Sequence, residues 1–269
     1  MPPAIATREL TKRFDALTAV DALTLDVQAG EVFGLLGPNG AGKTTTIKML
    51  ITLLPPTAGG ATVAGHDIIR DPRLVRRSIG YVPQLLSSDG ALSARENLMT
   101  SARLYHLPAA ERRARIDEAL EFMGLETAAD RLVRTFSGGM IRRLEIAQAM
   151  LHRPEVLFLD EPTVGLDPNA RRAVWDHIRQ LREAEGTTIL LTTHYMDEAA
   201  ELCGRVAFMH FGKLVALGTP DELAAQAGKG KTLDDAFTHF TGTELDETAE
   251  QGGQYRDVAR TRRTARRLG

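Results

Sequence analysis

The chain has 269 residues, of which 43% are hydrophobic and 25% are charged, a composition typical of a globular protein. This length fits one large α/β domain with a smaller inserted or appended part. The formal net charge of -2 disfavours the wrapping of nucleic acid by a basic surface. The single cysteine, Cys203, excludes an internal disulfide and a cysteine-only metal cluster, which favours a reduced, cytosolic protein.

The sequence contains no candidate membrane-spanning segment. No stretch approaches the ~18 uninterrupted apolar residues that such a helix needs. We therefore expect that, if this protein works at a membrane, a separate chain supplies the spanning part.

The first part of the chain is predicted to form several strands and a helix. Residues 23–27 alternate apolar and polar side chains, which indicates a strand with one buried face. Residues 31–36 are a continuous apolar run, typical of the covered centre of a parallel sheet. A helix is expected over residues 43–54, and strand character returns at residues 61–69 and 78–82.

The segment at about residues 90–153 is rich in Ala, Arg, Glu and Leu and has no convincing strand. Ser93 and Glu96 form a capping-box pattern, Pro108 separates two helices, and Gly124 is expected to end the second. The pattern predicts an α-helical insertion in the α/β domain.

Strands and helices alternate again in the later part of the chain. The expected elements are a strand over residues 156–160, an amphipathic helix over 168–185, a strand over 188–193, a hairpin of 206–209 and 213–217 around His210-Phe211-Gly212, and a helix capped by Thr219.

The strongest motif is a glycine-rich turn between a predicted strand and a predicted helix. It reads Gly37-Pro38-Asn39-Gly40-Ala41-Gly42-Lys43-Thr44 and matches G-x-x-x-x-G-K-[ST]. Such glycines let backbone N–H groups point at a phosphate, and the helix adds the positive end of its dipole. Lys43 would lie near the β and γ phosphates, the Thr44 hydroxyl suits Mg²⁺, and we assign Thr45 to the same site. A glycine-rich turn without a ligand is the weaker interpretation, so the sequence predicts nucleotide binding.

A second feature is an apolar strand that ends in two carboxylates, Asp160 and Glu161. In an open α/β sheet the ligand crevice lies at the carboxyl ends of the strands, so both acids should face the nucleotide. Neighbouring strand residues point to opposite faces, so we assign one acid to the metal and one to the attacking water. Taken alone, such a pair is about as often a solvated turn or a helix cap.

The third feature is Phe136-Ser137-Gly138-Gly139-Met140, directly before a predicted helix. Ser137 would cap the helix, and the glycines would expose backbone N–H groups to a second anion. On its own the motif is more often an ordinary capped helix. The order and spacing of all three motifs resemble the ATP-binding-cassette (ABC) family, whose signature motif is usually written L-S-G-G-Q.

The resemblance covers about residues 5–220. It implies a P-loop NTPase of the ABC type: an α/β fold with a RecA-like mixed sheet, an N-terminal antiparallel β subdomain and the inserted α-helical subdomain. We place the nucleotide-binding domain at residues 1–220 and a C-terminal extension at 221–269.

Four further family motifs are each matched by a single residue. Gln84 matches the Q-loop glutamine, Asp167 the D-loop, His194 the switch histidine, and Phe14 the aromatic that stacks on adenine. Without the resemblance, the four residues would have ordinary structural roles more often: Gln84 a surface amide, Asp167 a helix cap, His194 a strand-end packing residue and Phe14 a core aromatic.

Two signature positions depart from the family pattern, Phe136 replacing leucine and Met140 replacing glutamine. A thioether cannot make the hydrogen bonds of an amide. F-S-G-G-M before a basic helix resembles the ATP-binding subunits of daunorubicin-resistance exporters, which implies export of a drug-like or hydrophobic compound. Export rather than import rests on this resemblance alone. The permease, which is expected to hold the binding pocket, would set the identity of the transported molecule.

The resemblance also implies ATP and Mg²⁺ as cofactors. It implies a homodimer in which each ATP lies between the Lys43 loop of one copy and Ser137, Gly138 and Gly139 of the other. The partner would be a separate transmembrane permease, and this chain would lie as a peripheral subunit at the cytoplasmic face of the cell membrane. The implied roles are metal binding by Thr44, Gln84 and Asp160, activation of water by Glu161, and contact with the γ-phosphate by His194.

Two other functions compete with this interpretation. A GTPase would need N-K-x-D, and none of Asn39, Asn97 and Asn169 is followed by lysine. A soluble ABC ATPase acting on nucleic acid or ribosomes is the second interpretation, although no nucleic-acid partner is expected. The Arg-rich tail at about residues 243–269 is interpreted first as a flexible solvated end, next as a contact with anionic lipid, and last as a nucleic-acid site.

Overall fold

The strands of the chain form two sheets. The structure is a computed structural model that describes residues 2–242, so the predicted Arg-rich tail lies outside the described residues. In chain order the strands are β1 (Ile5–Phe14), β2 (Leu17–Val27), β3 (Val32–Leu36), β4 (Ala58–Val63), β5 (His66–Asp67), β6 (Ile79–Val82), β7 (Val156–Asp160), β8 (Thr188–Thr193), β9 (Arg205–His210) and β10 (Lys213–Gly218).

Helices cover the sheets. In chain order they are α1 (Lys43–Leu50), α2 (Pro72–Ser78), α3 (Ala94–Leu104), α4 (Ala109–Phe122), α5 (Gly138–Met150), α6 (Pro168–Glu185), α7 (Met196–Leu202), α8 (Pro220–Ala227) and α9 (Leu233–Thr241).

The central sheet has six strands in the order β10-β9-β3-β8-β7-β6, and only the edge strand β10 runs antiparallel to its neighbour. Both faces of its central strands β3, β8 and β7 are buried. In β3, Val32 and Leu36 belong to one apolar cluster, and Phe33 and Leu35 belong to the cluster on the other face. A strand buried on both faces needs apolar side chains at every position, which explains the continuous runs in the sequence.

The N-terminal sheet is antiparallel, with the order β2-β1-β4-β5. Leu23, Leu25 and Val27 of β2 are buried while the residues between them are less so, which confirms the predicted alternation. These side chains join α1 and one face of the central sheet in a shared core. The mixed α/β fold with an antiparallel N-terminal part is therefore confirmed.

The predicted helical insertion consists of α3, α4 and α5. The hydroxyl of Ser93 accepts a hydrogen bond from the backbone N–H of Glu96, and the Glu96 carboxylate accepts one in return from the N–H of Ser93 at 2.8 Å. Pro108 is the N-cap residue of α4, as its position between two helices predicted. Together the three helices cover one face of the central sheet.

Several local predictions were wrong or incomplete. The strand character expected over residues 61–69 belongs to two strands, β4 and β5, because Ala64 and Gly65 between them both adopt a left-handed φ. Helix α1 ends at Leu50 rather than at residue 54, because Thr52 adopts a left-handed φ of 65° and the next two backbone N–H groups fold back onto the carbonyl of Lys48. Helix α2 was not anticipated, since Val75 is its only buried residue and an amphipathic pattern cannot show in one position.

The described part of the C-terminal extension packs onto the main domain. Leu223 of α8 and Phe237 of α9 join the core beneath the central sheet. The ring of Phe237 stands edge-on to Phe208 of β9, with 5.3 Å between centroids. Among residues 2–242 no helix combines the length and the apolar character needed to cross a bilayer.

Candidate nucleotide-binding site

The glycine-rich turn joins the end of β3 to the start of α1. Gly42 is the N-cap residue with φ 104°, and no side chain caps the helix. The N–H groups of the first helical turn are therefore available to an anion. A Cβ atom on Gly42 would lie 2.4 Å from the carbonyl oxygen of Ala19, and one on Gly37 would lie 2.2 Å from that of Met209. Close backbone approach thus requires glycine at both positions.

A cavity of about 450 Å³ opens in front of this turn. The predicted residues that line it are Phe14, Asn39, Gly40, Ala41, Gly42, Lys43, Thr44, Thr45, Gln84 and Glu161. Gly37 and Pro38 are not among its lining residues, and their carbonyl oxygens accept hydrogen bonds from Nζ of Lys43 at 2.7 and 3.2 Å.

The backbone at Glu161 corrects one step of the sequence argument. Strand β7 ends at Asp160, and Glu161 has a left-handed φ of 48°. Its N–H donates to the hydroxyl of Thr192 at 3.0 Å. The alternation of a strand therefore does not apply to this pair, and both carboxylates turn toward the P-loop with different partners.

The side chain of Glu161 is the centre of the site. Its Oε1 lies 3.2 Å from Nζ of Lys43 and 3.5 Å from Nδ1 of His194, and its Oε2 accepts a hydrogen bond from Nε2 of Gln84 at 2.9 Å. Burial would raise the pKa of Glu161, but the hydrogen bond from His194 and the charge of Lys43 outweigh it and lower the pKa. The carboxylate is therefore ionised at neutral pH, the state that a base requires.

Lys43 is a buried cation in this network. Burial lowers the pKa of its ammonium group, although the charges of Glu161 and Asp160 act in the opposite direction. The neighbours of this ammonium group are the carbonyl oxygens of Gly37 and Pro38 and the carboxylate of Glu161. Its contact with phosphate stays a prediction.

Asp160 contacts two hydroxyl groups. Its Oδ1 accepts hydrogen bonds from Oγ1 of Thr44 at 3.1 Å and from Oγ1 of Thr192 at 2.6 Å. Burial raises the pKa of Asp160, and these two hydrogen bonds act against the rise. A nearby cation would relieve the cost of this buried charge.

The pair formed by Thr44 and Asp160 fits Mg²⁺ in chemistry, because both offer oxygen atoms. Within residues 2–242, no group of three or more His, Cys, Asp or Glu side chains is placed to hold a metal ion. The remaining ligands of a magnesium ion here would be phosphate and water oxygens, as is usual for Mg²⁺ beside nucleotides.

The signature segment lies outside the lining of this cavity. Ser137 caps α5, its hydroxyl accepting from the N–H of Met140 at 3.3 Å, and both Ser137 and Gly138 are exposed. Gly139 is buried, and a Cβ atom there would lie 2.7 Å from Cβ of Ala170. The helix end that could bind an anion therefore faces solvent and not the P-loop of its own chain.

Asp167 also lies outside the cavity lining. Its carboxylate caps α6, accepting from the N–H groups of Asn169 and Ala170, each at 3.0 Å. A contact between Asp167 and nucleotide stays a prediction that needs a second copy of the chain.

Phe14 lies at the edge of the cavity and is 44% exposed, so it is not the core residue that the alternative interpretation would have made it. The Nζ of Lys12 lies 5.1 Å from the centroid of its ring. An exposed ring at this edge is available to a base.

Phe211 is a cavity residue that sequence reasoning missed, since it was assigned only to a hairpin turn. It lines the same cavity, is 79% exposed and has a left-handed φ of 47°. The N–H of Gly212 next to it donates to the carbonyl of Ala41 in the P-loop at 3.0 Å. Two-residue hairpin turns of this kind favour Asn-Gly, so a bulky aromatic at this position was the available signal.

Comparison with known proteins decides the family. The family model for the ABC transporter matches residues 20–164. The chain is 50% identical over 225 residues to the daunorubicin/doxorubicin resistance ATP-binding protein DrrA of Streptomyces peucetius, a match that covers 84% of this chain and 68% of that protein. The chain belongs to the ABC transporter family. It is an ATP-binding and ATP-hydrolysing subunit.

Other relatives agree with this assignment. The Nod factor export ATP-binding protein I of Burkholderia thailandensis is 47% identical over 216 residues, covering 80% of this chain and 71% of that protein. A solved ATP-binding subunit of an ABC transporter is 32% identical, with a TM-score of 0.79, and the match covers 88% of this chain and 99% of that one. The cbiO1 protein of Clostridium perfringens, part of the ABC transporter complex cbiONQ, is 29% identical with a TM-score of 0.77 over 84% and 92% of the two chains.

Proposed function

We propose that this ABC ATPase drives export of a drug-like or hydrophobic compound through a separate membrane permease. The proposal is supported by the relatives, which are described as a daunorubicin/doxorubicin resistance protein and a Nod factor export protein. Its physical basis is one observation: Lys43, Glu161 and the Thr44–Asp160 pair meet at the cavity in front of the P-loop.

Two copies of the chain complete each ATP site in this proposal. The cavity offers a P-loop but no signature residue, while Ser137 and Gly138 expose a capped helix end elsewhere on the surface. A head-to-tail dimer would place that helix end, with its free N–H groups and positive dipole, against the γ-phosphate in the partner copy. Asp167, exposed at the start of α6, would lie at the same seam.

Each residue near the cavity has a proposed role in hydrolysis. Lys43 and the P-loop N–H groups bind the phosphates, and Phe14 stacks on the base. Glu161, ionised and hydrogen-bonded by Gln84, orients the attacking water and accepts its proton. His194, beside the same carboxylate, contacts the γ-phosphate.

Mg²⁺ is the proposed metal cofactor, held by Thr44, Asp160 and Gln84, whose Nε2 donates to Glu161. When bound, it neutralises charge on the phosphates. Asp160 contributes an oxygen that its hydrogen bonds from Thr44 and Thr192 keep oriented toward the P-loop.

Contact with the permease is proposed for the segment after Gln84. Leu85 and Leu86 are 75% and 50% exposed, which is unusual for adjacent leucines outside an interface. A permease would hold this subunit at the cytoplasmic face of the membrane. Contact of the Arg-rich tail with anionic lipid stays a prediction about residues outside those described.

The deciding experiment uses Glu161→Gln in the complex with the permease. We expect hydrolysis to fall at least about 100-fold, while Mg-ATP binding persists and drives stable dimer formation. The matched control is Glu155→Gln, the same change at the exposed opposite end of β7, which should leave both properties unchanged. Hydrolysis by Glu161→Gln at the wild-type rate, or a variant that stays single-copy in saturating Mg-ATP, would contradict the proposal.

A further inference from the structure

One face of α5 contacts the segment that carries Gln84. Arg142 is 2% exposed, and its guanidinium donates from Nη1 to the carbonyl oxygen of Pro83 at 2.7 Å and from Nη2 to that of Gln84 at 2.8 Å. A planar guanidinium presents its donors on separate nitrogen atoms in a rigid fork, whereas a lysine has one flexible ammonium nitrogen. The carbonyl groups of two consecutive residues, Pro83 and Gln84, are therefore bound by one side chain.

Glu145 holds the far end of the same segment. It is 3% exposed, lies 3.0 Å from Arg142 as an ion pair, and is three residues further along the helix, on the same face. Its Oε1 accepts hydrogen bonds from the N–H and hydroxyl of Ser87 and, at 3.3 Å, from the N–H of Ser88. The two charges thus contact each other and the backbone of residues 83–88.

This contact lies between two parts of the proposed machinery. Helix α5 begins at the signature residue Ser137, its N-cap. Gln84, whose carbonyl Arg142 binds, donates from its side chain to Oε2 of Glu161. A small rotation of α5 would therefore displace the Gln84 amide relative to the carboxylate.

We propose that Arg142 and Glu145 are positioning residues, which set the place of Gln84 against Glu161 and link it to the orientation of the signature helix. The inference rests on the roles proposed above for Gln84 and Glu161. Arg143, the next residue, provides a contrast: it donates to the carbonyl of Met123, the C-cap residue of α4, at 2.7 Å and so ties α5 to the end of α4 rather than to residues 83–88.

The test is a double-mutant cycle in the assembled complex with the permease. Arg142→Lys keeps the charge but loses the planar pair of donors, and Gln84→Ala removes the amide through which Arg142 is argued to act. We expect each single change to lower kcat about tenfold, because small displacements at a reacting centre are costly. The KM for ATP should stay within about twofold, since neither change touches the P-loop. Adding Arg142→Lys to Gln84→Ala should cause no further loss of kcat.

Glu145→Gln and Arg143→Lys complete the design. Glu145→Gln should behave like Arg142→Lys, both alone and in combination with Gln84→Ala. Arg143→Lys is the matched change on the same helix, and it should alter kcat by the same factor in the wild-type chain and in the Gln84→Ala variant. The melting temperatures of all variants distinguish loss of folding from loss of positioning.

Three results would overturn the inference. The first is an effect of Arg142→Lys on kcat that is equally large in the wild-type chain and in the Gln84→Ala variant. The second is a lower melting temperature of Arg142→Lys with unchanged kcat, which would mean a purely structural role. The third is a normal kcat in Gln84→Ala, which would mean that Arg142 and Glu145 do not act through Gln84. That result would leave the Glu161→Gln test of the proposed function unaffected.

Discussion

Lys43 and Glu161 form a buried ion pair, with 3.2 Å between Nζ and Oε1 and side chains that are only 4% and 5% exposed. The lysine comes from the first turn of α1, and the glutamate follows β7 across the central sheet. Breaking such a pair leaves an uncompensated charge away from water. The pair that we assign to phosphate binding and water activation therefore also affects the stability of the fold.

Glu161→Gln should destabilise the nucleotide-free protein at neutral pH by roughly 1–3 kcal/mol, because Lys43 keeps its burial and loses its carboxylate. The folded-state pKa of Glu161 is lowered below its ordinary 4.5, so its contribution is present above that value and is lost as the pH falls through the lowered pKa. Denaturant unfolding of both proteins checks this. A difference in the free energy of unfolding that stays constant as the pH falls below the lowered pKa would contradict this prediction. Glu155→Gln should show no such difference from the wild type.

Asp160→Asn should maintain or raise the stability of the nucleotide-free protein but weaken the binding of Mg²⁺ with ATP. Burial raises the pKa of Asp160, so removal of its charge should leave the nucleotide-free protein as stable as the wild type, or more stable by about 1 kcal/mol. The increase in ATP affinity caused by Mg²⁺ should be largely lost. Calorimetric titration with ATP, with and without Mg²⁺, measures this; an unchanged Mg²⁺ effect would remove Asp160 from the metal site.

Phe14→Ala and Phe211→Asn should both weaken binding of ATP, by about 1 kcal/mol or more, and leave tripolyphosphate binding unchanged, because each removes an aromatic ring beside the cavity and neither touches the P-loop. Asn suits the left-handed φ of 47° at position 211, so the fold should not suffer. Leu217→Asn, on the same hairpin but outside the cavity lining, is the control. Equal losses for both ligands would show that the turn, not the ring, matters.

Gly139→Ala and Gly138→Ala should separate packing from ligand contact in the signature. An added Cβ at position 139 meets Cβ of Ala170 at 2.7 Å, so thermal unfolding should show a loss of roughly 1–3 kcal/mol. At position 138 the nearest atom, at 3.2 Å, is the flexible end of Leu166, and stability should hold. Gly138→Ala should impair ATP-driven dimer formation without this loss of stability. If the variant binds ATP and dimerises normally, the exposed glycine does not face a partner's nucleotide.

Local motifs were predictable from the sequence because their chemistry is confined to a few consecutive residues. Glycines in the P-loop, the capping box of Ser93 and Glu96, and the buried strand ending at Asp160 all act within one turn or one strand. Predictions weakened where a distant residue sets the local conformation. The left-handed backbone of Glu161 is an example, since it is held by Thr192 of β8.

The amino-acid sequence by itself determined the fold class and the family, and it predicted the phosphate cradle and the two carboxylates, because each depends on residue types at short spacing. Only the tertiary structure decided that Phe211 meets the P-loop cavity, that Gly139 is required by Ala170, and that Arg142 and Glu145 hold the segment of Gln84. These contacts join residues from separate elements. Their distances depend on how helices and strands pack in three dimensions, and spacing along the chain carries no record of that packing.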